Sequence, residues 1–111
     1  MLDEAKKAMR VTAAAYDSEI ASLLEAGARD LETAGVIVPG TVAFTVSTTG
    51  VVTDDSTLTD PLVQRAIFTY ARMHFGSPAD YERLKEAYGL QKVQLMHAAE
   101  YTDYNGGGGG C

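Results

Sequence analysis

The stretch DPLVQRAIFTYARMHFG, residues 60–76, constrains what this chain can fold into more than any other. Asp60 is a helix N-cap, and Pro61 stands at the first helical position, where a missing N–H costs nothing. Gly76 supplies the stop. Between these signals the apolar residues exceed a single stripe. Leu62, Val63, Ala66, Ile67, Tyr70, Met73 and His74 fall on one broad face, and Phe68, Ala71 and Phe75 form a second ridge at i, i+3 and i+7. Only Arg65, Thr69 and Arg72 remain as a polar strip. Such a helix must be covered on more than one side, at the centre of a bundle or at an interface between subunits.

Three further helices are available to cover it. Residues 3–11 suit a short opening helix capped by Asp3, with a break near Tyr16. From Ser18 to Ala34, Ile20, Leu23, Leu24, Gly27 and Leu31 fall on one arc, Glu25, Arg29 and Glu32 fall opposite, and Gly35 ends the helix. Gly27 and Ala28 at the edge of that arc read as ordinary small-residue packing. A last helix is expected from Ser77 as N-cap, Pro78 at the first position and Asp80 as capping-box acid, fading near Ala99. Tyr81, Leu84, Tyr88 and Leu95 line one of its faces, and Gly89 weakens it by about 1 kcal/mol relative to Ala.

Residues 36–59 are of a different kind, rich in Val and Thr with almost no charge before Asp54. Val42, Phe44 and Val46 alternate, and Ser-Thr-Thr-Gly can turn the chain into Val51-Val52-Thr53. This is an irregular loop or a small β-hairpin. Two strands alone are marginal in water, so the arm must lean on the bundle or on a neighbouring subunit. The expected fold is therefore mostly α: a small four-helix bundle-like domain over residues 1–104, a Val/Thr-rich arm inserted at 36–59, and a Gly-rich C-terminal tail at 105–111.

Composition narrows the function. The chain has 111 residues, and a domain of this size buries only about 65% of the surface of its unfolded chain, so leftover apolar surface seeks a partner. The net charge of −6 and pI of about 4.7 argue against phosphate-backbone binding. Lys6, Lys7, Arg10, Arg83 and Lys85 are interleaved with acids as on a solvated helix face. The acidic start, Met1-Leu2-Asp3-Glu4, does not read as a signal peptide, and no apolar run approaches the ~20 residues of a membrane span. A lone Cys111 and two isolated histidines, His74 and His97, suggest neither a disulfide nor a metal site. The five glycines before Cys111 are followed by nothing helical, so they do not form a phosphate loop. Acid pairs such as Asp54/Asp55 read as solvated charge. No active site, cofactor or metal is expected. A small helical DNA-binding or regulatory protein, with residues 60–76 as a recognition helix, is the alternative reading, and the acidic pI counts against it.

The order LDEAKKAMRVT, DSEIASLLEAGARDLETAGV, DPLVQRAIFTYARMHFG and YERLKEAYGLQKVQL…EY resembles the head–tail connector (adaptor) proteins of tailed bacteriophages. The AG-V close of the second helix, the DPL-x-x-RAI-x-x-Y opening of the third and the FG followed by ER-L and a Tyr carry the likeness. It covers about residues 2–38 and 60–104. The resemblance implies a non-enzymatic virion protein without a cofactor, built in the host cytoplasm into a ring, usually dodecameric, beneath the portal. Such a ring extends the DNA channel and docks stopper or tail proteins, passing double-stranded DNA without reading its sequence. Ring subunits meet through two different surfaces. Phe68, Ala71, Phe75 and Phe44 are the candidate subunit interface, the alternative for Phe68 and Phe75 being that the arm at 36–59 covers them. Glu25, Glu32, Asp54 and Asp55 are candidate channel-facing acids. Tyr101, Tyr104 and Asn105 are the candidate portal-docking tail.

Overall fold

A computed structural model describes residues 1–98. Four helices form: α1 (Leu2–Met9), α2 (Asp17–Thr33), α3 (Pro61–His74) and α4 (Tyr81–His97), with a two-stranded hairpin, β1 (Phe44–Val46) and β2 (Val52–Asp54), between α2 and α3. This is the mostly-α bundle with an inserted hairpin that the sequence patterns predict.

Helix α3 is the centre. Val63, Ala66, Ile67, Thr69, Ala71 and Met73 are all buried along it, and it packs against both α2 and α4. Ile20, Leu24 and Leu31 of α2 are fully buried. At Gly27 the two helices come close: a Cβ there would stand 3.1 Å from Cδ1 of Tyr70. Leu84, Tyr88 and Leu95 close the core from α4, Leu2 and Ala5 from α1.

The helix ends follow local chemistry, with two corrections. Asp60 caps α3 as expected, its Oδ1 accepting from the N–H groups of Leu62 at 2.9 Å and Val63 at 3.1 Å. Asp60→Ala is expected to cost about 1 kcal/mol, read as a lowered urea midpoint. Helix α2 ends on Gly35 at φ 97°, where Val36 N–H reaches the Leu31 carbonyl and Gly35 N–H that of Glu32, a Schellman close. The first correction concerns α4, which starts at Tyr81 rather than at Pro78, with Asp80 and not Ser77 at the N-cap. Asp80 instead engages Arg83 at 3.1 Å, so the Ser-Pro-Ala-Asp run is a connecting turn. The second concerns α1, which begins one residue before Asp3 and stops at Met9, with Arg10 in the left-handed region at φ 58°.

The arm is built into the bundle at its base. β1 and β2 pair antiparallel, Phe44 opposite Asp54 and Val46 opposite Val52. Below them the chain is stitched by Asp55 N–H to the Ala43 carbonyl and Thr57 N–H to the Thr41 carbonyl, each 2.9 Å. Val36 and Leu58 are buried at the two ends of the segment. Gly40 is required there: at φ 143° its missing Cβ would lie 2.8 Å from the Leu58 Cα. Val42, Phe44 and Val52 pack partly against the core, while Val46 and Val51 at the tip are exposed.

Candidate assembly surfaces

The second ridge of α3 is not one free face. Ala71 is completely buried, so it belongs to the core and cannot form a subunit interface, contrary to the sequence reading. Phe75 is half-buried and meets the ring of Tyr16 edge-on at 5.4 Å, covered by the short 3₁₀ turn Ala14–Tyr16. Phe68 is half-buried in a groove between α1 and α3. The wheel also misplaced other positions, His74 among them, which is exposed although it was assigned to the bundle face. Leu62, assigned to the bundle face, is 52% exposed, and Thr69, assigned to the polar strip, is buried. Thr69 satisfies its hydroxyl by donating to the Arg65 carbonyl at 2.9 Å, which lets a polar residue sit in a packed position. With its buried residues spread around so much of its circumference, α3 is a core helix and not an exposed recognition helix.

The surface that sequence reading missed lies on α4. Leu84, Tyr88 and Leu95 face the core, yet Leu90, Val93 and Met96 are exposed on the opposite side, Leu90 by 62%. On a helical wheel Met96, Val93 and Leu90 step by 60° each across one arc, with Gly89 inside it. No atom stands within 4 Å of where a Cβ of Gly89 would be. The monomer therefore gives no packing reason for a mid-helix glycine there. Two opposed apolar faces on α4 cancel as vectors, which is why this helix looks only weakly amphipathic in sequence. The exposed Val46 and Val51 at the hairpin tip form a second, separate apolar spot.

The candidate acids divide by what they hold. Glu25 accepts from the Phe44 N–H at 3.1 Å, and Asp55 accepts from the Thr45 hydroxyl at 2.8 Å. Both fasten the arm. Glu32 is exposed and lies 3.8 Å from Arg29. Asp54 is the most committed: its carboxylate takes the N-terminal ammonium at 2.7 Å, the Leu2 N–H at 2.8 Å and the Ser56 N–H at 3.0 Å. Burial works to raise its pKa, but these bonds outweigh it and hold the carboxyl at about 2. Asp54 thus ties α1 to β2 and does not offer a free negative charge.

This tie sets an acid limit. The folded pKa lies below the ordinary 3.8, so the contribution is complete above pH ~4 and is lost as pH falls towards 2. Asp54→Ala is expected to cost about 1 kcal/mol at pH 6, after allowing for solvent screening of a partly exposed pair. Urea midpoints of the two proteins should converge as the pH is lowered to 2. A second buried tie joins α2 to α4: Tyr88 donates its hydroxyl to Asp30, which Lys92 also reaches at 3.2 Å. Burial and the Asp30 charge both push the Tyr88 hydroxyl upward. Asp30 is held below the usual range, the Tyr88 and Lys92 bonds outweighing its own burial.

Among the described residues, no group of three His, Cys, Asp or Glu side chains is placed to hold a metal ion, and no helix is long and apolar enough to cross a membrane. Tyr101, Tyr104 and Asn105, the candidate docking tail, lie outside the described residues. Among the described residues, the Asp54, Asp30 and Glu25 contacts fasten one element to another, and α4 keeps an exposed apolar face. The model of the phage connector protein family matches residues 1–102, and the chain belongs to that family. No curated protein and no solved structure matches it. The family is one of structural virion proteins and not of enzymes.

Proposed function

We propose that the protein assembles in the host cytoplasm as a ring, dodecameric as its resemblance to head–tail adaptors implies, beneath the portal of a phage head. The ring extends the DNA channel and docks a stopper or tail protein. The observation that carries this reading is the exposed Leu90, Val93 and Met96 face of α4, which packs on no other element among the described residues, in a chain of the connector family. A ring contact is heterologous and needs two unlike surfaces on each copy. The outer face of α4 supplies one; the hairpin tip with Val46 and Val51, backed by Phe44, supplies the other. The exposed Glu25, Glu32 and Asp55 face the channel in this arrangement, where like charge keeps passing DNA from adhering, whereas Asp54 is matched by the N-terminal ammonium and takes no part. Tyr101, Tyr104 and Asn105 act as a docking segment for the portal or for an adjacent subunit.

Native mass and negative-stain images of the purified chain, alone and with its portal, test the proposal. Rings that form alone or only on the portal are the expected result. A chain that stays monomeric in the presence of portal, and does not bind it, would overturn the reading.

A further inference from the structure

The groove between α1 and α3 has a composition that the ring alone does not explain. It encloses about 330 Å³ and is lined by Pro61, Gln64, Phe68 and Ala8, with Arg65 and Arg72 along its edge. In a chain of 15 acids and 9 bases, α3 carries these two arginines and not one Asp or Glu. Arg72 approaches Asp80 only at 4.0 Å, and that carboxylate is already held by Arg83 at 3.1 Å. The Arg65 side chain has no acidic partner among the described residues, and it is exposed. A cationic rim around a half-buried phenylalanine is the complement of an acidic, aromatic peptide.

The chain itself contains one. After Ala98 the sequence runs Ala-Glu-Tyr-Thr-Asp-Tyr-Asn, residues 99–105, before the glycines. Glu100 and Asp103 are three residues apart, as are Tyr101 and Tyr104. An extended chain with three residues per turn and a 3.1 Å rise would put both acids on one edge about 9 Å apart, and both tyrosines on the next edge. Arg65 and Arg72 are two helical turns apart, about 10 Å. The two spacings match.

We propose that the segment 100–104 of one copy docks in the Arg65–Phe68–Arg72 groove of its neighbour, the acids on the arginines and a tyrosine ring against Phe68. The donor is assigned to a neighbour because the groove opens away from α4. The groove lies on the side of α3 away from α4: Phe68 stands ~200° around the helix from Tyr70, which meets Tyr88 of α4 at 5.5 Å. The groove thus opens on a face of α3 that the helix carrying the tail does not cover, and a second copy in the ring can approach that face. This proposal rests on the ring reading for the neighbour's presence, but the contact itself is measurable without a ring.

The test uses the full chain carrying Glu100→Arg and Asp103→Arg, which silences its own tail, and a fluorescent peptide of residues 99–105 followed by anisotropy. Saturable binding is expected, weakened at least tenfold when Arg65→Glu is added, an exposed change that leaves the far-ultraviolet dichroism intact. A peptide with both acids replaced by arginine should instead bind an Arg65→Glu chain that keeps its own acidic tail. No saturable binding, or binding indifferent to Arg65→Glu, would overturn the groove assignment whether or not rings form. On rings, copies with the reversed groove mixed with copies with the reversed tail should assemble better than either alone. Rescue only when both changes share one chain would place the tail in its own groove and overturn the exchange between neighbours. Tail variants that lose portal binding while the groove variants assemble and bind normally would assign the segment to the portal instead.

Discussion

Ala71→Asp is expected to leave the chain unfolded at 25 °C. Ala71 has no exposed surface and belongs to the central cluster with Ile67, Ile20 and Leu24. A carboxylate introduced there has no cation to meet. The nearest arginine on α3, Arg72, is exposed and turned outward. Burying an unpaired charge, or protonating it to avoid doing so, costs several kcal/mol, and the added volume strains a closely packed site. A domain of this size has about 5–15 kcal/mol in all, so one such change consumes most of it. Far-ultraviolet dichroism and a urea titration would show the loss. A folded Ala71→Asp chain that merely failed to associate would return Ala71 to the subunit interface and contradict its place in the core. Phe75→Asp should be far milder, since Phe75 is half-buried at the edge and its partner Tyr16 is itself 46% exposed.

That contrast shows where the sequence was legible. Elements whose ends carry strong local signals were placed well. Asp60 and Pro61 at the start of α3, Gly35 after α2 and the Ser-Thr-Thr-Gly turn each specify backbone geometry by themselves. Which side of an apolar helix faces the core is a tertiary matter. Phe68, Ala71 and Phe75 are equivalent on a wheel, but Ala71 packs inside, Phe75 is covered by Tyr16, and only Phe68 opens on a groove. At α4 the failure ran the other way. Leu84, Tyr88 and Leu95 form the core face, Tyr81 of the same sequence pattern is exposed, and Leu90, Val93 and Met96 are spaced as a second apolar face. Gly89 is the one sequence signal on that side, a helix-interior glycine that the packing of the described residues does not require. The start of α4 was misplaced because Ser-Pro-x-Asp is a good cap in isolation, whereas Asp80 is drawn into the cap position by Arg83 and Arg72. The acids could not be sorted at all from sequence, since the bond between Asp54 and the N-terminus spans 53 residues.

Leu90→Asp together with Val93→Asp should abolish ring assembly, shifting the concentration needed by 100-fold or more, while the melting curve of the monomer stays within about 0.5 kcal/mol of wild type. Both side chains are already in water in the monomer, Leu90 by 62% and Val93 by 47% of their surface, so the monomer loses little when they become charged. In an interface the same two carboxylates would be desolvated without partners, and truncations at the centre of such a patch alone cost 2 kcal/mol or more apiece, with ~1.4 kcal/mol per factor of ten. Gly89→Leu adds a distinction. Leucine, close below alanine in helix propensity, replaces glycine, so the monomer should be stabilised by about 0.5–1 kcal/mol, because a Cβ there meets nothing. If a neighbour's backbone approaches that point, the same change blocks assembly. A chain made more stable and less able to assemble by one substitution is hard to explain through folding. Rings that form normally from both variants would free the outer face of α4 from any part in the contact between copies, and the ring would then have to be built from the hairpin and α1 instead.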